Sequence, residues 1–156
     1  MQRLKDRLTL ILLFVAALIG VSDATYLTYE HYHGNNVICS ITHGCEQVLT
    51  SQFSTIAGIP ISFGGIFFYL ALLAFGFYAL RETISLRARQ TLVVFTAIGF
   101  LVSVVLTGLQ AFVIHAWCQF CLLSAVTATA VFILSIVLYR KFGHQGEKHG
   151  ESRSHY

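Results

Sequence analysis

Four long, predominantly apolar stretches, Leu8 to about Tyr29, Ile61 to Leu80, Thr91 to about His115 and Cys118 to Tyr139, constrain this chain more than any other feature. A hydrocarbon core of about 30 Å takes roughly 20 helical residues to cross, and each stretch is long enough. In lipid every backbone amide has to be satisfied inside its own segment, so each stretch reads as a helix. With 56% hydrophobic and 11% charged residues, an ordinary soluble globule is excluded. The expectation is an all-α integral membrane protein with one domain over residues 1–140. That domain is a four-transmembrane-helix bundle, with spans at about 8–29, 61–80, 91–115 and 118–139 and a short cap built from the loop 30–60. Residues 141–156 turn polar and rich in Gly and His, which reads as a disordered tail.

The first stretch has the basic start of a signal peptide, but no small-x-small cleavage site follows it: Val21, Ser22 and Asp23 fit badly, and apolar character resumes through Tyr26, Leu27 and Tyr29. It is kept as a helix. All ten Lys and Arg residues then fall on one side of the membrane. Arg3, Lys5 and Arg7 precede the first span, Arg81, Arg87 and Arg89 lie between the second and third, and Arg140, Lys141, Lys148 and Arg153 follow the fourth. The loop from Glu30 to Pro60 and the turn His115 to Trp117 have none. The positive-inside rule therefore puts both termini in the cytoplasm of an inner or plasma membrane and the loop on the extracytoplasmic side. Membrane lipid is the expected surroundings, and no nucleic-acid partner is expected.

The four cysteines, Cys39, Cys45, Cys118 and Cys121, all fall on that outer side, where disulfides persist. Two staples holding loops in place would be the plain reading, and the spacing argues for more. Cys118 and Cys121 form a Cys-x-x-Cys at the start of the fourth span, where the helix N-terminus carries about half a positive charge and stabilises a thiolate. Cys39 and Cys45 are separated by five residues that include Gly44, a span that a flexible loop closes. An external dithiol could attack a Cys39–Cys45 disulfide, and a freed loop thiolate could then attack a Cys118–Cys121 disulfide. The inner pair borders lipid, so its natural oxidant is a membrane-dissolved two-electron carrier such as a quinone. No Gly-rich dinucleotide motif competes with that assignment. Two non-enzymatic alternatives stay open: a disulfide-stapled membrane scaffold, and a zinc site that adds His43 and His115 to the cysteines.

Between the cysteine pairs, Gly34, Asn35 and Asn36 break the first helix. Cys45 to Leu49 with Thr50 and Ser51 reads as a turn or two of helix near the membrane surface, with Val48, Leu49 and Phe53 for its apolar face. Pro60 suits the start of the second span. Just inside that span, Gly64 and Gly65 admit close approach of another helix or of a flat ligand. Trp117 and Tyr29 suit the membrane interface. Asp23, an ionisable group inside the first span, is either part of a proton path or a hydrated bundle carboxylate. Gln110 in the third span poses the same question. Glu46 beside Cys45 is a solvated carboxylate or a base. The three His of the tail are irregularly spaced, and no metal is expected there.

Cys45-Glu46-Gln47-Val48-Leu49-Thr50-Ser51, the run Gly58-Ile59-Pro60-Ile61-Ser62, Gly65 and Tyr69 beyond it, and Cys118-Gln119-Phe120-Cys121 together resemble the vitamin K epoxide reductase family over roughly residues 10 to 140. The loop spacing is similar to that of prokaryotic members. The resemblance implies a quinone-dependent membrane thiol oxidoreductase that reoxidises an extracytoplasmic thioredoxin-fold protein and so supports disulfide bond formation. It implies that Cys39 forms the mixed disulfide with the partner, that Cys45 relays electrons to Cys118, and that Cys121 meets the quinone. The quinone would be of the ubiquinone, menaquinone or vitamin K type, held near Ser51, Cys121 and Gly65. Many prokaryotic members carry a fused thioredoxin-like domain; none is found in this sequence, so a separate DsbA-like partner is expected. Animal members have an Asn and a Tyr in the substrate pocket where this sequence has Ile61 and Ala125, which favours quinone reduction over the alternative of vitamin K epoxide reduction.

Overall fold

Leu10, Leu13, Ala17, Ala24 and Leu27 recur at helical spacing and are all buried, while Leu12, Val15 and Ile19 between them are exposed. This is the first helix, α1 (Gln2–His33), with one stripe turned to the bundle and the other faces turned to lipid. After it come α2 (Cys45–Leu49), β1 (Thr55–Ile56), β2 (Ile59–Pro60), α3 (Ile61–Arg81), α4 (Leu86–Leu109), a π-helical turn (Gln110–Ile114) and α5 (Gln119–Glu151). The computed structural model describes residues 2–33, 39, 44–81 and 86–151. The Gly34–Asn36 break, His43 and residues 152–156 of the expected tail lie outside the described residues. Four helices are long and apolar enough to cross a membrane, over Arg7–His33, Ile61–Tyr78, Arg87–Ile114 and Gln119–Arg140. The protein is a four-helix membrane bundle.

α1 packs on α3 and α5, and α4 packs on α5. Lipid tails are as apolar as Leu side chains, so close packing and polar contacts between helices hold the bundle together. Small residues admit the close approach: Gly20 leaves room for the Tyr69 ring, Gly65 faces the Ala24 Cβ across α1 and α3, and Gly99 faces the Phe68 ring. Hydroxyls supply the polar contacts. Tyr69 donates to the Ser124 carbonyl oxygen at 3.0 Å and lies 2.8 Å from Thr127 Oγ1. Thr96 Oγ1 on α4 lies 2.8 Å from Ser135 Oγ on α5, and Thr28 Oγ1 donates to Ser62 Oγ at 2.9 Å.

Three features depart from the sequence reading. Before α3 the chain forms a two-residue hairpin, with Thr55 opposite Pro60 and Ile56 opposite Ile59. Its turn places Ala57 at φ 52° and Gly58 at φ 80°, the left-handed pair of a tight hairpin. Pro60 thus ends β2 immediately before the first helical residue. Second, α4 loosens into the π-helical turn at Gln110 and ends at His115, which has φ 53°. Third, α5 runs on as helix to Glu151, into the stretch read as a disordered tail. No proline interrupts it, and Gln, Glu and Lys propagate a helix already nucleated in the membrane.

Candidate functional site

The short helix α2 brings the loop cysteines to the bundle. Its N-terminus seats against the turn that joins α4 to α5, and Gly44 is what permits the fit: a Cβ there would stand 2.8 Å from the Trp117 backbone nitrogen and 2.9 Å from the Ala116 Cβ. Gln47 Nε2 donates to the Ile114 carbonyl oxygen at 3.4 Å. Cys45, Val48, Ala116 and Cys118 then form one buried cluster, with Cys39, Ile114, Phe120 and Cys121 packed around it. All four cysteines meet at one end of the bundle. Cys39 and Cys45 are disulfide-bonded with their Cα atoms 6.1 Å apart, an ordinary separation for such a bridge. Cys118 and Cys121 are free thiols.

Cys118 immediately precedes α5 and is 0% exposed. Its carbonyl oxygen accepts the Leu122 N–H at 3.0 Å, and the Cys121 N–H points at its Sγ at 3.5 Å. The Cys121 thiol, above all, together with the backbone N–H groups of Cys121 and Phe120, pulls the Cys118 pKa down to about 7, against the opposing effects of burial and the Asp23 charge. Gln110 completes the environment. The π-helical turn buries its side chain, 2% exposed, so that Oε1 accepts the Cys118 N–H at 2.9 Å while its own carbonyl oxygen accepts the Ala116 N–H at 3.2 Å. Such turns recur at functional sites because they re-aim side chains in mid-helix.

Below the cluster lies a cavity of about 600 Å³, bounded by α1, α3, α4, α5, α2 and the hairpin. That is the size range of small-molecule and cofactor sites. Its walls are apolar for the most part, from Leu27, Phe68, Phe95, Ile98 and Leu106, with polar groups from Ser51, Gln110 and Ser124. Cys121, Ser51 and Gly65 are on this wall, and so is Ile61. Gly64 faces open space, whereas a Cβ added at Gly65 would stand 3.3 Å from the Ala24 Cβ. Ser51 Oγ donates to the Val48 carbonyl oxygen at 2.7 Å, so its hydroxyl reaches a ligand as an acceptor unless it rotates. Ala125 is not on this wall; it lines a shallow groove with Val126 and Thr129 on another face of α5. Among the described residues no group of three His, Cys, Asp or Glu side chains is placed to hold a metal ion.

Gly44 and Gln110 stand out in the sequence, but their roles, Gly44 as the seat of α2 and Gln110 as the acceptor for the Cys118 amide, are seen only in the structure. A glycine directly before a cysteine and a lone amide in an apolar span were the available signals.

A membrane helical bundle that gathers two cysteine pairs beside an apolar cavity has the parts that a membrane disulfide oxidoreductase needs. A model of the vitamin K epoxide reductase family matches residues 11–136 of the 156-residue chain. The protein belongs to that family, whose members work with quinones. Among curated proteins none matches the chain.

Proposed function

We propose that the protein takes electrons from an extracytoplasmic thioredoxin-fold partner of the DsbA-like type at Cys39–Cys45, passes them to Cys118–Cys121, and delivers them to a quinone in the cavity. The observation that carries this reading is the position of Cys121, which packs against the cysteine cluster and also lines the apolar cavity. A partner thiolate attacks Cys39, and the freed Cys45 attacks Cys118, its neighbour in the buried cluster. The leaving thiolate is then Cys121, beside the quinone. Stabilising the Cys118 thiolate stabilises the reduced inner pair, which works in the direction of inward electron flow. The absence of Lys and Arg from the loop 30–60 supports an extracytoplasmic position for the cysteines. Disulfide bond formation in exported proteins is the resulting role.

Photolabelling with an azido-ubiquinone tests the quinone site. Label on cavity residues such as Ile98 or Leu106, competed by unmodified quinone, is the expected result. Label confined to the Ala125–Thr129 groove would overturn the assignment.

A further inference from the structure

Asp23 is the most deeply buried carboxylate among the residues whose burial is described; Glu30, two turns further along α1, is half-buried, and its Oε2 is likewise without a partner. Asp23 stands inside the α1 span, is 6% exposed, and neither of its oxygens has a hydrogen-bond partner among those residues. An ionisable group in a membrane span is costly to keep, and one without a partner has no structural bond to justify it. Its neighbours show where it points. Three residues on, and so on the same helix face, the Tyr26 ring lies 4.9 Å from the ring of Phe120, which stands inside the Cys-x-x-Cys. Three residues back, Gly20 lies against the Tyr69 ring. Asp23 is therefore at the level where α1 meets the start of α5, which carries Cys118 and Cys121, and the middle of α3, which carries Tyr69. Those are the titratable groups at that level on the two helices packed on α1. It is not on the wall of the quinone cavity.

We propose that Asp23 is the proton acceptor for the Cys118–Cys121 dithiol. The proposal rests on the quinone reading above. When the dithiol is oxidised, one S–S bond forms, two S–H bonds break, and two electrons pass to the quinone. One thiol proton goes to the Asp23 carboxylate and the other to the reduced quinone. The Asp23 proton then follows, so that dithiol plus quinone becomes disulfide plus quinol with no net gain or loss of protons. A carboxylate that serves the sulfurs rather than the quinone belongs on the sulfur side of the cavity wall.

The test compares the full chain with Asp23→Asn and Asp23→Glu in nanodiscs. It uses reduction of a short-chain ubiquinone and, on the reduced protein, the pH profile of Cys118 alkylation by iodoacetamide. In Asp23→Asn, kcat falls about 100-fold with the KM for quinone unchanged, and the Cys118 alkylation profile moves to lower pH, because the opposing charge is gone. Asp23→Glu restores part of kcat. A kcat in Asp23→Asn within about twofold of wild type, well short of the usual range for a lost acid or base, overturns the proposal. So does a parallel loss of kcat and alkylation, which reports displaced cysteines. Wild-type protein that reduces no quinone refutes the quinone reading instead. The alkylation arm still decides in that case, since identical profiles in wild type and Asp23→Asn overturn the role of Asp23.

Discussion

The backbone N–H of Cys118 donates to Gln110 Oε1 at 2.9 Å, across the turn that joins α4 to α5. This one bond ties the helix that ends in the π-helical turn to the cysteine that opens the next helix. Leaving a buried amide without its acceptor costs about 1–3 kcal/mol. Gln110→Leu should therefore lower unfolding stability by that amount. Equal unfolding midpoints for Gln110→Leu and wild type would show that the bond does not hold the turn.

Protonation of Cys118 gives a pH signature. Its pKa is pulled down to about 7 by the Cys121 thiol and the first amides of α5. The thiolate forms on raising the pH, so alkylation of Cys118 in the reduced protein should climb as pH rises through about 7 and level off above it. An unperturbed cysteine titrates near 8.5. A midpoint at or above that value, measured by mass spectrometry of the labelled peptide, would remove the case for a stabilised thiolate.

Gly44 is the seat of the cap. In Gly44→Val the added side chain meets the backbone of Trp117 and moves α2 off the turn. A displacement of about 1 Å can cost on the order of 100-fold in a reaction that depends on contact. Electron transfer from the loop pair to the inner pair should fall by that order in a quenched single-turnover assay. Direct reduction of Cys118–Cys121 by dithiothreitol should stay at the wild-type rate, and a loss there as well would mean that the inner pair itself had been disturbed.

Away from the site, Thr96→Val removes the contact between Thr96 and Ser135 that joins α4 to α5. Hydrogen bonds between membrane helices contribute about 0.6 kcal/mol on average and up to about 2. The variant should lose stability in that range in a detergent unfolding titration and keep its quinone activity.

The bundle was legible because lipid imposes a simple rule: runs such as Ile61 to Leu80 have to be helices, and the stripe from Leu10 to Leu27 shows which side of α1 turns inward. Cys45 to Leu49 was legible as a short helix from its apolar spacing. The hairpin was not, because its strands are two residues each and one of its left-handed turn positions is Ala57, a residue without turn character. The π-helical turn has no sequence signal either, so Gln110 could be noticed in the third span but not connected to Cys118. Gly65 suits either helix packing or the approach of a ligand by its sequence, and it sits both against Ala24 and on the cavity wall. The joining of the two cysteine pairs depends on Gly44 and Ala116, whose contact spans distant parts of the chain and leaves no local pattern to read.

The most direct test of the central claim is anaerobic quinone reduction by the purified protein with a reduced thioredoxin-fold dithiol as donor, comparing wild type with Cys121→Ala. The relay predicts steady turnover in wild type and none in Cys121→Ala, with the mixed disulfide between Cys39 and the donor still forming in the variant. Turnover that survives in Cys121→Ala, or wild-type protein with verified thiols that reduces no quinone, would contradict it.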